Sequence, residues 1–352
     1  MEPLLKIEHL SVHFPTYAGQ VQAVRDVSFC LEPGETLAIV GESGCGKSVT
    51  ARAIMGLTQQ TKGVVSPESA IYYEGRNILT YSQKEWQDYR GGVCGIVFQD
   101  ALTSLNPTMK VGRQIAENIT NHKKVSSAQA WQEAIGLLKA VGISQPEKRC
   151  HQYPHAFSGG MRQRVMIALA LACQPKLLIA DEPTTALDVT IQAKILELIR
   201  SIQRERGISV IYITHDLGVV AKVADYVDVM YAGKIVETGT IDEIFYEPRH
   251  PYTWGLLSAM PDLDTADDRL YTIPGSPPNL LHEKQGDAFA PRNHFALNID
   301  DEVDPPMFKI SDTHYAATWL LDPRAPKVDM PPELAQRIAR MRAEAEKIKE
   351  AE

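Results

Sequence analysis

Apolar runs of strand length alternate with stretches of helical spacing over roughly the first 245 residues. That alternation predicts an α/β domain built on a largely parallel sheet. Thr36–Val40 reads TLAIV, Lys176–Ala180 reads KLLIA and Ile208–Thr214 reads ISVIYIT. Short, continuous apolar runs of this kind suit strands buried on both faces. Helical patterning falls around them, over Lys47–Gly56, Met161–Ala172 and Val189–Arg204. From about Glu247 the texture changes. Pro248, Pro251, Pro261, Pro274, Pro277, Pro278 and Pro291 interrupt any long helix or central strand, so residues 247–330 are expected to form an irregular second module packed on the first. Beyond Pro331 and Pro332, apolar Leu334, Ile338, Met341, Ala345 and Ile348 recur at helical steps among charges. This predicts an amphipathic helix over 331–352, docked on its own chain or on a partner.

Composition narrows the classes. The chain has 352 residues, 44% hydrophobic and 23% charged, ordinary values for a soluble globular protein. Its formal net charge is −8, from 36 basic and 44 acidic residues, and no Lys/Arg block stands out, which argues against a nucleic-acid partner. Cys30, Cys45, Cys94, Cys150 and Cys173 form no C-x-x-C pair and no zinc spacing, so free thiols in a reducing compartment are expected. No apolar run reaches the about 18 residues of a spanning helix. The N-terminal MEPLLKIEHLSVHF is too broken by polar residues for a signal peptide. A membrane role would have to come through a partner.

Three motifs carry chemistry. Between the first apolar run and the helix that follows lies Gly41-Glu-Ser-Gly-Cys-Gly46-Lys47-Ser48, a full G-x-x-x-x-G-K-[ST] match. Glycines let such a loop curl its N–H groups onto phosphate oxygens, and the helix N-terminus adds partial positive charge. Lys47 is expected to reach the β/γ-phosphates and Ser48 to ligate Mg²⁺. Cys45 sits at that helix start, which favours a reactive thiolate, although a small residue that merely fits reads the same way. Downstream, an apolar strand ends in Asp181-Glu182: Asp181 to hold Mg²⁺, Glu182 to orient and deprotonate the attacking water. Upstream of that strand, Ser158-Gly159-Gly160 opens a helix. Ser158 is a good N-cap and the glycines bare their N–H groups, making a second phosphate-binding helix end. One nucleotide seldom needs two such ends on one chain, so this one is expected to face ATP held by another subunit.

In this order the motifs resemble the ABC transporter ATPases over residues ~4–245. The resemblance implies an α/β P-loop NTPase core over 1–246, with a helical subdomain over about 100–172. ATP and Mg²⁺ follow as ligands, with Gly41, Ser43, Gly44, Cys45, Gly46, Lys47, Ser48 and Val49 around the phosphates and Ser48, Gln99 and Asp181 at the metal. It further implies that Phe14, with Tyr17 as second choice, stacks adenine. Gln99 senses the metal and contacts the membrane partner, Ala186-Leu187-Asp188 crosses the dimer interface, and His215 holds the γ-phosphate. The signature reads FSGGM where the common form is LSGGQ, a departure in the flanks alone.

The tail, with His250-Pro251-Tyr252-Thr253, Ile273-Pro274-Gly275 and Phe289-Ala290-Pro291-Arg292, resembles that of the oligopeptide/dipeptide and nickel importer ATPases. Many of these hold an iron–sulfur cluster there. Here Asp287 and Asn293 stand at the first two cysteine positions and no cysteine follows Cys173, so no cluster is expected. The expectation is an ATP-hydrolysing subunit that energises an oligopeptide importer from the cytoplasmic face of the cell membrane. Its partners would be a second ATPase chain, two membrane-spanning permease subunits and an extracellular solute-binding protein. Dipeptide or nickel importers, an exporter, and a soluble ABC ATPase acting on nucleic acid are the alternatives. The last usually splits its cassette with a long coiled coil or carries two cassettes, and between Lys47 and Ser158 there is room for a small helical subdomain only.

Overall fold

The three apolar runs become the centre of one eight-stranded sheet. A computed structural model describes residues 2–99, 104–184, 189–260, 272–281 and 285–351. In chain order its strands begin with β1 (Leu5–Thr16), β2 (Gly19–Leu31) and β3 (Thr36–Val40). Helix α1 (Lys47–Ile54) precedes the short strands β4 (Val64–Val65), β5 (Ala70–Tyr73) and β6 (Arg76–Asn77), then α2 (Gln83–Asp88) and β7 (Cys94–Val97). Then come α3 (Val111–His122), α4 (Ser127–Ala140), α5 (Pro146–Arg149) and α6 (Gly159–Ala170). The core closes with β8 (Leu177–Asp181), α7 (Val189–Arg206), β9 (Ser209–Thr214), α8 (Leu217–Val223), β10 (Tyr226–Tyr231) and β11 (Lys234–Thr240). Beyond it come α9 (Ile241–Tyr246), α10 (Pro251–Ser258), β12 (Phe308–Lys309), β13 (Tyr315–Ala316) and α11 (Pro332–Ala351).

Every residue of β3, β8 and β9 is buried, which explains why these strands read as unbroken apolar runs. Their side chains alternate between two cores, as a pleated strand requires. Leu177 and Ile179 join Leu37, Ile39 and the antiparallel sheet of β1 and β2. Leu178 and Ala180 join Ile115, Ile119, Leu138 and Ile167 of the helical subdomain. Within that subdomain α4 is started by a reciprocal cap, Ser126 with Gln129, which satisfies two otherwise orphaned N–H groups. A third cluster joins Ala38, Val40 and Val229 to the C-terminal region through Tyr252, Trp254 and Phe289.

The central sheet crosses the expected boundary at residues 246 and 247. β13 pairs with β11, Glu237 opposite Ala316 and Thr238 opposite Tyr315, and β12 pairs with β13. The tail is therefore sewn into the core sheet as well as packed on it. Its prolines do not exclude helix, because Pro251 and Pro332 stand at helix starts, where a missing N–H costs nothing. α11 docks on its own chain: Leu334 and Ile338 are buried in the third cluster, Met341 packs against it, and Arg337 Nη1 donates to the Met260 carbonyl at 2.8 Å. The side chains of Ala345 and Ile348 lie outside the described residues. Asp287 and Asn293 serve local turns, accepting from the Phe289 and Phe295 N–H groups at 2.9 Å each. No described helix is long and apolar enough to cross a membrane.

Asp228 lies buried in β10, and its Oδ2 has no hydrogen-bond partner. Burial pushes its carboxyl up to about 7, against the Thr238 hydroxyl that favours the anion. An unfolded aspartate ionises near pH 4. Between about 4 and about 7 the folded chain therefore keeps a proton that the unfolded chain has lost, and stability falls as pH rises through that window. Asp228→Asn is expected to flatten this slope and to raise Tm at pH 8 by about 2 °C or more. Melting curves across the window check it, and an unchanged slope would place the pH dependence elsewhere.

Candidate active site

Parallel pairing decides where the chemistry lies. β3, β9, β8 and β7 run side by side in one direction, so their carboxyl ends open on the edge where doubly wound sheets bind ligands. Val40 is level with Thr214, Asp181 with Ile213 and Val97 with Ala180. The residues that follow these ends, Gly41–Ser48, His215, Glu182 and Gln99, consequently emerge together. Apart from Cys45 they line an open cleft of about 590 Å³, with Ser43, Gly44, Gly46 and Val49 in its wall.

The loop after β3 needs glycine at two places. Gly41 has φ 152° and Gly46 has φ 109°. A Cβ at Gly41 would lie 2.0 Å from the Met230 carbonyl oxygen, and one at Gly46 2.4 Å from that of Ala23. Neither approach tolerates a side chain. Lys47 is buried inside the curl and donates from Nζ to the Gly41 and Glu42 carbonyls at 2.7 and 2.9 Å. Of the two readings of Cys45, burial favours the small residue that fits. It is buried, and desolvation pushes its thiol up more strongly than neighbouring Lys47 pulls it down. A helix terminus alone does not make a thiolate where water is excluded.

Two carboxylates stand side by side with different surroundings. The Ser48 hydroxyl donates to Asp181 Oδ1 at 2.9 Å, and burial raises the Asp181 carboxyl above its ordinary value, with the Ser48 bond opposing. A buried carboxylate beside a hydroxyl is a hard-oxygen donor set of the kind that takes Mg²⁺. Glu182 is held from both sides. Gln99 Nε2 donates to its Oε2 at 2.8 Å, and His215 Nδ1 lies 3.2 Å from its Oε1. Its φ is 45°, a left-handed turn that few non-glycine residues adopt and that clusters at functional sites. The turn is pinned by its N–H donating to the Ile213 carbonyl at 2.9 Å.

Other candidates lie elsewhere. Ser158 caps α6, its hydroxyl accepting from the Met161 N–H, and Ser158 and Gly159 are exposed outside the cleft wall. Phe14 is half-buried against Gly63, where a Cβ would meet its ring at 2.8 Å. Tyr17, past the end of β1, is fully exposed. Asp188, with Ala186 and Leu187, lies outside the described residues. Sequence reasoning missed five participants. Ala23 of β2, Leu256 of α10 and Glu42 line the cleft. Tyr252 accepts the Glu42 N–H at 2.9 Å, and Arg292 pairs with the Glu42 carboxylate. An acidic residue inside a phosphate loop was the available signal, since it calls for a cation.

The profile of the ABC transporter family matches residues 24–185, and that of the oligopeptide/dipeptide transporter C-terminal region matches residues 236–299. The oligopeptide transport ATP-binding protein OppD of Bacillus subtilis (strain 168) is 59% identical over 340 residues, covering 96% of this chain and 94% of its own. The dipeptide transport ATP-binding protein DppD of Lactococcus lactis subsp. cremoris (strain MG1363) is 56% identical, over 93% of each chain. Among solved structures, the ATP-binding cassette MJ0796, a dimer in a post-hydrolysis state bound to ADP and Pi, superposes with a TM-score of 0.61. It is 25% identical and covers 67% of this chain and 98% of its own. By sequence, fold and the strand-end site together, this chain belongs to the ATP-hydrolysing subunits of ABC transporters, in the group that carries the oligopeptide/dipeptide-type C-terminal region.

Proposed function

We propose that this chain binds ATP with magnesium in the strand-end cleft and hydrolyses it to drive import of oligopeptides. The observation that carries the reading is the Glu182 carboxylate, held between Gln99 and His215 beside the Lys47 loop. The loop N–H groups and Lys47 take the β/γ-phosphate oxygens. Ser48, Asp181 and the side-chain oxygen of Gln99 are the groups that would hold magnesium, whose bound charge offsets that of the phosphate oxygens. Glu182 accepts the proton of the attacking water. His215 holds the γ-phosphate, leaving Glu182 as it does so. Tyr17, more than half-buried Phe14, has a ring face free to stack on adenine.

Ser158, Gly159 and Gly160 stand outside this chain's own cleft, and in this reading they cap the triphosphate of a second ATPase chain, with Asp188 crossing between the two. The dimeric, ADP-bound state of MJ0796 supports such pairing. Residues 1–246 would form the nucleotide-binding domain, 247–330 the importer-type extension and 331–352 the terminal helix. Two permease subunits would carry the pathway through the membrane, with this chain on its cytoplasmic face and a solute-binding protein opposite. Relatives named for oligopeptides and dipeptides support a peptide cargo. Purification from membranes tests the assembly: recovery with two multi-span subunits and a second ATPase is expected, and recovery with ribosomes or DNA would reverse the reading.

Two substitutions separate binding from chemistry. Glu182→Gln is expected to leave ATP affinity near wild type while phosphate release slows by about 100-fold or more; turnover at the wild-type rate would remove Glu182 from the role of base. Lys47→Ala is expected to weaken ATP binding itself by on the order of tenfold, the loss of one charged contact. Unchanged nucleotide affinity in that variant would contradict the phosphate assignment.

A further inference from the structure

Tyr252 and Arg292 of the C-terminal region both reach back to Glu42 of the phosphate loop. Arg292 meets Glu42 with both terminal nitrogens, Nη1 to Oε2 at 2.6 Å and Nη2 to Oε1 at 3.0 Å. The Arg292 side chain is only 4% exposed and that of Glu42 27%. The guanidinium is itself fixed: Nε donates to the Pro274 carbonyl at 2.7 Å and Nη1 to the Tyr231 hydroxyl at 3.3 Å. Glu42 is gripped at its backbone too. Its N–H donates to the Tyr252 hydroxyl at 2.9 Å and its carbonyl accepts from Lys47 Nζ at 2.9 Å. Tyr252 is fully buried, with its ring centroid 4.6 Å from that of Tyr231.

Exposed ion pairs contribute little, but a bidentate pair built into a hydrogen-bonded frame is a different case. An acid in a phosphate loop is also unfavourable on its face, because it carries the same sign of charge as the ligand. The fold answers this with a cation from 250 positions along the chain.

We propose that Arg292 is a positioning residue of the nucleotide site. It neutralises Glu42 and steadies the phosphate loop, so that the C-terminal region sets the affinity for triphosphate. The proposal rests on the assignment of this loop to ATP. Without Arg292 the Glu42 carboxylate would face the ligand uncompensated, and the repulsion would grow with ligand charge and fade with salt. Lysine would restore the charge but not the two-pronged geometry.

The test is equilibrium binding of Mg-AMP-PNP and Mg-ADP to the full-length chain in its purified transporter complex. Arg292→Met is expected to weaken AMP-PNP by on the order of tenfold, ADP by less, and both losses should shrink as salt rises. Arg292→Lys should recover part of the loss, and the double variant Glu42→Gln/Arg292→Met most of it. Unchanged affinity in Arg292→Met would overturn the proposal. So would an equal loss for both nucleotides, or a double variant as weak as the single one, either of which would mean that Arg292 only supports the fold. Should Arg292→Met fail to fold, Glu42→Gln alone decides, since it keeps the cation and removes the acid. It is expected to bind AMP-PNP at least as tightly as wild type, and weaker binding would overturn the proposal. A wild-type complex that bound neither nucleotide would sink the ATP assignment itself and this proposal with it.

Discussion

Register among four parallel strands is the constraint on which the site depends. β3, β9, β8 and β7 are locked level by their backbone pairing, and each contributes chemistry within two residues of its last paired position. A slip of one residue in β8 would reverse its faces. Leu177 and Ile179 would leave one core for the other, and Asp181 and Glu182 would exchange places. The burial of five consecutive apolar or end-of-strand residues in β8 therefore fixes the fold and also the division of labour between two adjacent carboxylates. The left-handed backbone at Glu182 completes that division by turning the second carboxylate towards Gln99 and His215.

What the sequence made legible was local in the chain. The phosphate loop, the strand ending in Asp181-Glu182 and the Ser158 cap each lie within about ten residues, and periodicity and glycine chemistry declare them directly. The parallel sheet followed from unbroken apolar runs. The C-terminal region is harder to read, because prolines mark breaks in the chain without saying what lies between them. Pro251 begins a helix, and the two-residue strands β12 and β13 are too short to leave a periodic trace. The Arg292–Glu42 and Tyr252–Glu42 contacts span 250 and 210 positions, and no spacing rule reaches that far. At Cys45 the sequence leaves two readings open, a reactive thiolate at a helix start or a small residue that fits; burial, which the sequence does not display, decides for the second.

The C-terminal region is accordingly a structural partner of the cassette at two levels. It lengthens the central sheet through β13 and β12, and it completes the surroundings of the phosphate loop through Tyr252 and Arg292. Asp287 and Asn293 hold their own turns by accepting N–H bonds from residues two positions on. The region thus keeps its shape with ordinary hydrogen bonds and a buried aromatic group of Tyr231, Tyr252 and Phe289.

The short hairpin at the sheet's margin has one more effect. β11 is seven residues long and would present a ladder of open backbone groups if nothing lay beside it. β13 covers part of it, β12 covers β13, and both stop after two residues, offering too little backbone for a stray strand to grip. The tail therefore acts as a selvage: it finishes the margin of the sheet so that a crowd of identical chains does not zip together there.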